Sequence, residues 1–432
     1  MNKADATVEA AGESSKAAGA STAPDPRLVT APAAASRRSR PLERVLLRRF
    51  LARSGLTDLT IHLPDGEKVT AGTEPTQHAV SIQTRSALWR MIRDPEQGFL
   101  DGFVDGSIEI SGDLIDFLNV VKRRFSLSPE RPASLRERLR DFFRRRQGRF
   151  SKANVVHHYD LGNDFYRLWL DAQLVYTCAY FECPGMTLEE AQTAKLDHVC
   201  RKLRISPGET VIEAGCGWGA LALHLARHYG ARVRAFNLSD EQVDYARARA
   251  KREELDHCVE FVKEDWRQIS GRCDAFVSVG MLEHVGPENY QQLGSIVSGV
   301  LGRQGRGLIH TIGQNAAEPL SPWIEKHIFP GAQPPTLRQM MDLFSPSALS
   351  VLDVENLRPH YALTLHHWLD RFDRHESQVT RMFDANFVRL WRMYLASSAS
   401  AFEIGSLQLY QVLFSPIGSA FSPLTRGDVY QR

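Results

Sequence analysis

The segment Glu213-Ala214-Gly215-Cys216-Gly217-Trp218-Gly219 joins a short apolar run, 210–214, to a helical pattern at 221–229. Gly215 and Gly217 permit a tight turn and let a ligand approach the backbone. The helix beyond offers free N–H groups and a positive dipole end. A G-x-G pair alone is weak, but at a strand–helix junction it marks the place where α/β sheets bind nucleotides. The spacing is G-x-G-x-G with an acid before it. That favours S-adenosylmethionine over a dinucleotide, because there is no pyrophosphate to cradle; the bland alternative is a tight turn without a ligand. The next strand ends Phe236-Asn237-Leu238-Ser239-Asp240, so Asn237 stands where an acid would ordinarily hold ribose hydroxyls. The third ends Glu264-Asp265-Trp266. Asp265 could take an adenine amino group, with Trp266 either stacked beside the ring or packed in the core.

Other reactive residue types are harder to weigh alone. Glu283 follows the fourth strand, at the carboxyl edge where such sheets bind ligands. His310 lies in the apolar run Leu308-Ile309-His310-Thr311-Ile312, where a satisfied core histidine is the usual finding. Cys178 read alone is a small buried apolar residue. His157 and His158 invite a metal reading, but no third ligand is spaced for one, so no metal is expected. The six cysteines (Cys178, Cys183, Cys200, Cys216, Cys258, Cys273) form no C-x-x-C pair. Reduced thiols are expected, with neither a structural zinc nor a disulfide framework.

The elements that must position these residues follow from pattern. Strand-like runs at 210–214, 232–236, 259–262, 275–279 and 308–312 alternate with helical stretches at 221–229 and 240–254. This rhythm predicts an α/β fold with a doubly wound sheet. Late strand candidates at 351–357 and 407–414 could close that sheet; 316–345 reads as Pro-rich and irregular, and 362–402 as helical and aromatic. Upstream, helical spacing at 37–53, strand-like runs at 59–63 and 68–71 about the turn Pro64-Asp65-Gly66, a helix at 86–93 and a glycine-punctuated stretch at 98–118 read as a small α+β domain. The predicted organisation is a disordered tail over 1–39, a small lipid- or membrane-associating domain over 40–125, a basic amphipathic linker helix over 126–152, and a catalytic domain over 153–432.

Taken together, several strings resemble the cyclopropane-fatty-acyl-phospholipid synthases and the related mycolic-acid methyltransferases. They are His158-Tyr159-Asp160-Leu161-Gly162-Asn163-Asp164, Tyr176-Thr177-Cys178-Ala179-Tyr180, Glu213 to Gly219, and Val279-Gly280-Met281-Leu282-Glu283-His284-Val285-Gly286. His310-Thr311-Ile312-Gly313 and the stretch from Trp323 to Pro330 continue the series over about residues 150–415. The resemblance implies a class I S-adenosylmethionine-dependent methyltransferase sheet and addition of the donor's methyl carbon across a cis double bond of a phospholipid acyl chain. A bound bicarbonate then removes a proton and a cyclopropane ring closes. It places Tyr176, Thr177, Val211, Glu213, Gly215, Cys216, Gly217, Gly219, Asn237, Leu238, Ser239, Gln242, Asp265, Trp266 and Arg267 around the cofactor. Cys178, Glu283, His310, Ile312 and Tyr361 fall on the positions that hold bicarbonate. An alkene is a poor nucleophile, so a strong electrophile must be held close. The cation left on the chain needs aromatic faces, for which Tyr176, Tyr180, Trp323 and Tyr361 are candidates, and a site free of water. Ser398 stands where the family often carries a cysteine. A methyl-branched or methylene acyl product shares the first step and is the alternative.

The chain has 432 residues and a net charge of only +2, yet residues 122–152 carry twelve Lys or Arg against three acids. Such a concentration points to an anionic surface. Within it Ser134-Leu135-Arg136-Glu137 forms a capping-box pattern, and Leu135, Leu139, Phe142 and Phe143 share a helical face ringed by arginines. That suits a helix lying on a membrane; a solvated helix packed between domains fits equally well. Nucleic-acid binders interleave stacking aromatics with their basic residues, and here the aromatics sit on the amphipathic face, so no nucleic acid is expected. Methylation of a small polar nucleophile and non-enzymatic lipid binding are the remaining classes. No run of about 18 uncharged apolar residues spans a bilayer, and no signal peptide is evident. The expected location is therefore cytoplasmic, peripheral on the inner face of the membrane, with unsaturated phospholipid chains and the anionic surface as partners and a homodimer left open.

Overall fold

A four-stranded sheet and a seven-stranded sheet, joined through one long helix, make up the computed structural model, which describes residues 41–72, 76–126 and 161–430. The tail, the proposed linker helix over 126–152 beyond Ser126, and the His157–His158 pair lie outside the described residues. The small sheet contains β1 (Leu59–His62), β2 (Lys68–Thr70), β3 (His78–Ile82) and β4 (Ile108–Ser111) in the order β2-β1-β3-β4. It is accompanied by α1 (Pro41–Ser54), α2 (Arg85–Arg93), α3 (Pro95–Val104) and α4 (Leu114–Ser126). Thr84 and Asp94 cap α2 and α3 by accepting from the amides of Ala87 and Gln97. A side-chain oxygen at the N-cap satisfies one of the free amides of a first helical turn.

The large sheet runs β10-β11-β9-β8-β5-β6-β7, built from β5 (Thr210–Ala214), β6 (Arg232–Asn237), β7 (Val259–Lys263), β8 (Cys273–Val279), β9 (Leu301–Gln314), β10 (Leu349–Asn356) and β11 (Leu407–Pro416). Pairs from β7 to β9 are parallel; β11 pairs antiparallel with both β9 and β10. The two late strands thus close the sheet as their patterns suggest. β8 is buried at every position except Asp274, as expected of a strand covered on both faces. β5 lies between β6 and β8, so strand order reverses beside its carboxyl end, where α/β sheets open a crevice for ligands.

The helices beside this sheet are α5 (Leu188–Leu203), α6 (Ala220–Tyr229), α7 (Asp240–Arg252), α8 (Tyr290–Val300), α9 (Leu337–Phe344), α10 (Arg358–Arg374) and α11 (Ala385–Ile404). Helix α11 packs on α10 and also on α3 and α4, so one helix serves both sheets. Residues 316–345 are less irregular than their prolines suggest. Thr336 and Gln339 close a capping box at the start of α9, and Pro322–His327 forms a further short helix that uses its proline at the first turn.

The turn from β5 into α6 depends on Gly219, at φ +84°. A Cβ there would stand 2.6 Å from the Phe261 ring and 3.0 Å from Ala246 Cβ, so helix α6 can begin only where this residue has no side chain. At Gly217, φ +53°, a Cβ meets nothing within 4 Å. Gly219→Ala should therefore cost about 1–3 kcal/mol from crowding on top of the left-handed strain of about 1–2 kcal/mol that both substitutions share. Urea melts of the two variants will show Gly219→Ala as the less stable if this packing is correct.

Candidate functional site

The carboxyl ends of β5, β6, β8 and β9 open into a cavity of about 1650 Å³. Tyr176, Thr177, Glu213, Gly215, Cys216, Gly217, Asn237, Leu238, Gln242, Asp265, Trp266 and Arg267 all line it, as do Glu283, Ile312 and Tyr361. Three other expected cofactor residues do not reach its wall. Val211 points into the core beside α6, Gly219 is held against Phe261, and Ser239 caps α7 by accepting from the Gln242 amide. Their contribution is to the shape of the loop and not to its surface.

The glycine turn is fixed from several sides. The amides of Gly215 and Cys216 both donate to the Phe236 carbonyl, at 2.9 and 3.1 Å, tying the loop to the end of β6. Asn237 Nδ2 donates to the Gly217 carbonyl (3.2 Å) and to Gln242 Oε1 (2.8 Å), and its Oδ1 accepts from the Leu238 amide (2.8 Å). Asn237 is thus a brace between loop and helix rather than an open acceptor, and Gln242 is the neighbouring polar side chain on the wall. Asp265 accepts from the amide (2.9 Å) and guanidinium (3.0 Å) of Arg267, whose guanidinium carbon sits 4.3 Å from the centre of the Trp266 ring. Trp266 is both a wall of the cavity and part of the core beneath it.

Two buried ionisable side chains stand behind this loop, Lys195, which the sequence reading missed, and Glu213, within electrostatic reach of each other but not bonded. Lys195, projecting from α5, is 2% exposed and donates to Thr177 Oγ1 at 3.0 Å. Burial pulls its pKa down to about 8, opposed by the charges of Asp171 and Glu213. Glu213 is also 2% exposed, and burial pushes its pKa up to about 8, opposed chiefly by Lys195. The signal available was the Thr187/Glu190 capping box that starts α5. It locates the helix but not the face that Lys195 presents.

Glu283 sits in a 3₁₀ turn directly after β8. Its Oε1 accepts from the Ile312 amide at 2.6 Å, and its own carbonyl accepts from the Gln333 amide at 2.8 Å. Its Oε2 is buried without a partner, and burial raises its pKa to about 7. On the adjoining strand, Val279 pairs with His310, and the Gly280 amide donates to the His310 carbonyl at 2.9 Å. His310 is 2% exposed, with Nδ1 3.0 Å from Gln411 Nε2 and Nε2 buried without a partner. Burial first, then the positive charges of Lys195 and Lys202, holds its pKa well below the usual histidine range, so the ring is neutral. With the Gln411 amide oriented to donate to Nδ1, the ring proton is assigned to Nε2.

Glu283 and Ile312 are therefore joined directly. Cys178 and His310 lie buried behind the cavity wall. The Cys178 thiol donates to the Ala179 carbonyl at 3.1 Å, and burial pushes its pKa up, so it is neither thiolate nor nucleophile. Tyr361 is on the wall, stacked on Phe402 with centroids 4.5 Å apart. Tyr176 and Tyr394 share a hydroxyl–hydroxyl bond of 2.8 Å, and both line the cavity with Trp323 and Phe402. Tyr180, expected with the aromatic wall, is instead stacked between His198 (4.2 Å) and His360 (4.7 Å) away from it. Ser398 reaches the cavity from α11. Among the described residues no cluster of His, Cys, Asp or Glu has metal-site geometry, and no helix is long and apolar enough to cross a membrane.

The sequence profile of the family described as Mycolic acid cyclopropane synthetase matches residues 146–412. A probable fatty acid methyltransferase from Pseudomonas putida is 34% identical over 393 residues, covering 86% of this chain and 98% of the relative. The cyclopropane-fatty-acyl-phospholipid synthase of Escherichia coli K12 is 35% identical over 331 residues, 76% of this chain and 85% of its own. The crystal structure of mycolic acid cyclopropane synthase CmaA1 complexed with SAH and CTAB is similar at a TM-score of 0.58 and 32% identity, over 61% of this chain and 97% of that one. The strand order, the glycine turn and these matches agree on one conclusion: the chain is a methyltransferase-fold enzyme that belongs to the mycolic acid cyclopropane synthetase family.

Proposed function

We propose that the protein transfers a methylene from S-adenosylmethionine to a cis double bond of a phospholipid acyl chain and closes a cyclopropane ring, with bicarbonate as the base. The observation that carries this reading is the pair of orphaned polar atoms, Glu283 Oε2 and His310 Nε2, buried at the adjoining ends of β8 and β9. Leaving a buried donor or acceptor unpaired costs about 1–3 kcal/mol, so each of these atoms favours a polar guest, Glu283 Oε2 one that donates and His310 Nε2 one that accepts. A bicarbonate ion has both capacities.

S-adenosylmethionine would supply an electrophilic methyl carbon and bicarbonate a compact base; the remaining chemistry belongs to the chain. The glycine turn, Gln242 and the Asp265–Arg267 turn would seat the donor. Glu283, held by the Ile312 amide, would accept the guest's hydroxyl and fix its direction, while neutral His310 donates from Nε2. Tyr176, Tyr361, Tyr394 and Phe402 offer aromatic faces to positive charge developing on the substrate, each worth about 0.5–2 kcal/mol when dry. The same apolar walls exclude water that would otherwise trap that charge. The basic residues from Arg123 to Lys152 would hold the enzyme peripherally on the anionic inner face of the membrane, Lys122 being turned inward to the Ser397 carbonyl.

The Pseudomonas relative, named a fatty acid methyltransferase, favours a second reading in which the added carbon ends as a methyl branch or methylene group. Unsaturated phospholipid vesicles incubated with the protein and S-adenosylmethionine separate the two. A ring gives a chain one CH₂ heavier that resists hydrogenation; a methylene product takes up hydrogen.

Glu283→Gln and His310→Gln should each lower turnover roughly 100-fold or more, the usual loss when one positioned partner of a developing charge is removed, with unchanged donor affinity. The pH dependence should differ between them. Glu283 must be ionised to accept, and its folded pKa is about 7, so activity at saturating bicarbonate should rise as pH climbs through that value. The rise should survive in His310→Gln and vanish in Glu283→Gln. Stability moves the other way. The folded carboxyl holds its proton above the unfolded value near 4.5, so Glu283 weakens the fold progressively between about pH 4.5 and 7, and Glu283→Gln should flatten that part of the stability profile. For the basic segment, replacing Arg144, Arg145 and Arg146 by Gln should weaken binding to anionic vesicles by about 1 kcal/mol per charge in flotation assays.

A further inference from the structure

The cavity is larger than one ligand requires. Sites for single small molecules enclose about 300–1,000 Å³, and this one encloses about 1650 Å³. Much of its wall comes from the small sheet and the helices beside it. Ile61 of β1 and Val80 of β3 are direct register partners, and both line the space with Leu59. Phe99 of α3 and Phe117 of α4, with ring centroids 5.5 Å apart, continue that wall. Ile61 and Val80 are only 2% and 3% exposed, so this wall is interior to the protein. Of the charged lining residues of this part, Arg93, Asp94 and Glu96 stand at the exposed junction of α2 and α3, and Lys122 lies on α4.

Continuity with the reacting end runs along α11. That helix carries Tyr394 and Phe402 on the cavity and, between them, Ser397, Ser398 and Ala401, whose small side chains leave space where larger ones would fill it. Lys122 of α4 donates through Nζ to the Ser397 carbonyl at 2.5 Å and so fastens the small domain to this stretch. The family profile begins at residue 146, so the small-domain wall lies outside the part of the chain that it describes.

We propose that the small domain holds one flank of the acyl chain, the hydrocarbon on one side of the reacting double bond, and thereby selects chain length or double-bond position. The inference rests on the alkene reading above and adds to it where the chain goes. An unbranched hydrocarbon fits a wall of Leu, Ile, Val and Phe whose one buried charged side chain, Lys122, already donates to the Ser397 carbonyl, and each methylene it buries there favours binding. Charged groups at the exposed α2–α3 junction are placed for water and not for the chain.

The test uses the full-length protein and phospholipid vesicles carrying oleoyl, myristoleoyl or petroselinoyl chains. Oleoyl and myristoleoyl differ in the methyl flank; oleoyl and petroselinoyl differ in where the double bond stands. Ile61→Phe narrows the chamber and should slow the chain with the longer flank in one of these pairs by roughly tenfold relative to the other, the worth of about two buried methylenes, with donor affinity unchanged. Phe99→Ala widens it and should shift the ranking in the opposite sense; it decides alone if Ile61→Phe does not fold. Equal losses on all chains, or an unchanged ranking in both variants, would overturn the proposal. A wild-type protein that converts none of the chains would count against the alkene reading instead. In that case binding of fluorescent cis-parinaric acid, weakened by Ile61→Phe, supports the chamber, and unchanged binding overturns it.

Discussion

Glu283 is anchored through one carboxylate oxygen and left open at the other, and the site is organised around that asymmetry. The bond to the Ile312 amide fixes the carboxyl against β9 just as the chain leaves β8. Burial then raises its pKa to about 7, into the range where a modest change of surroundings decides whether it carries charge. A carboxylate exposed to water would be a stronger acid and a worse receiver of a proton. One fully paired inside the protein would have no lone pair left to offer. His310, two residues from Ile312 on the same strand, is the counterpart: neutral because it is buried, oriented through Nδ1 by Gln411, and unpaired at Nε2.

That arrangement requires a dry cavity, and dryness requires more wall than the methyltransferase sheet supplies. Helix α11 solves the problem by serving two domains at once. It packs on α10 beside the large sheet and on α3 and α4 beside the small one, so its cavity face is enclosed from both sides. The aromatic residues around Phe165, Trp169, Trp368 and Trp391 meet edge-on at 5.0–5.9 Å beneath it and hold Tyr176 and Tyr361 in position. The small domain is therefore a structural part of the cavity.

The parts of this design that were legible in the sequence are those written in local pattern. Strand runs bounded by glycine turns placed β5 through β8 within two residues and the carboxyl half of β9, whose start at Leu301 was missed, and the G-x-G-x-G spacing located the ligand crevice, because backbone conformation and hydrophobic period are properties of neighbouring residues. Glu283 and His310 were named through family resemblance; their burial and open atoms depend on strands β8, β9 and β11, which meet only in the folded sheet. The same applies to Lys195 and Glu213, which come from different elements. Asn237 shows a subtler limit. Its place at the end of β6 could be read from pattern, but its bonds to Gly217, Leu238 and Gln242, which brace the loop against the helix, depend on the folded geometry. Helix α5 had a visible capping box at Thr187 and Glu190, and α3 a proline at its first turn; both signals were local and were overshadowed by the alternation around them.

Lys195 and Glu213, both on its wall, make one end of the cavity polar while the other is apolar. Two carboxylates, Glu213 and Glu283, lie on its wall, and an uncompensated charge in a dry interior costs several kcal/mol. Lys195 offsets the first, and the amide of Ile312 stabilises the second. The residual penalty is what raises both carboxyl pKa values. With Lys195 also bonded to Thr177, the segment from Tyr176 to Cys178 is held between this charged end and the aromatic wall where Tyr176 meets Tyr394. A single short segment thus fixes the distance between the glycine turn and the aromatic pocket. That separation must remain constant if a donor seated at one is to reach a chain lying in the other.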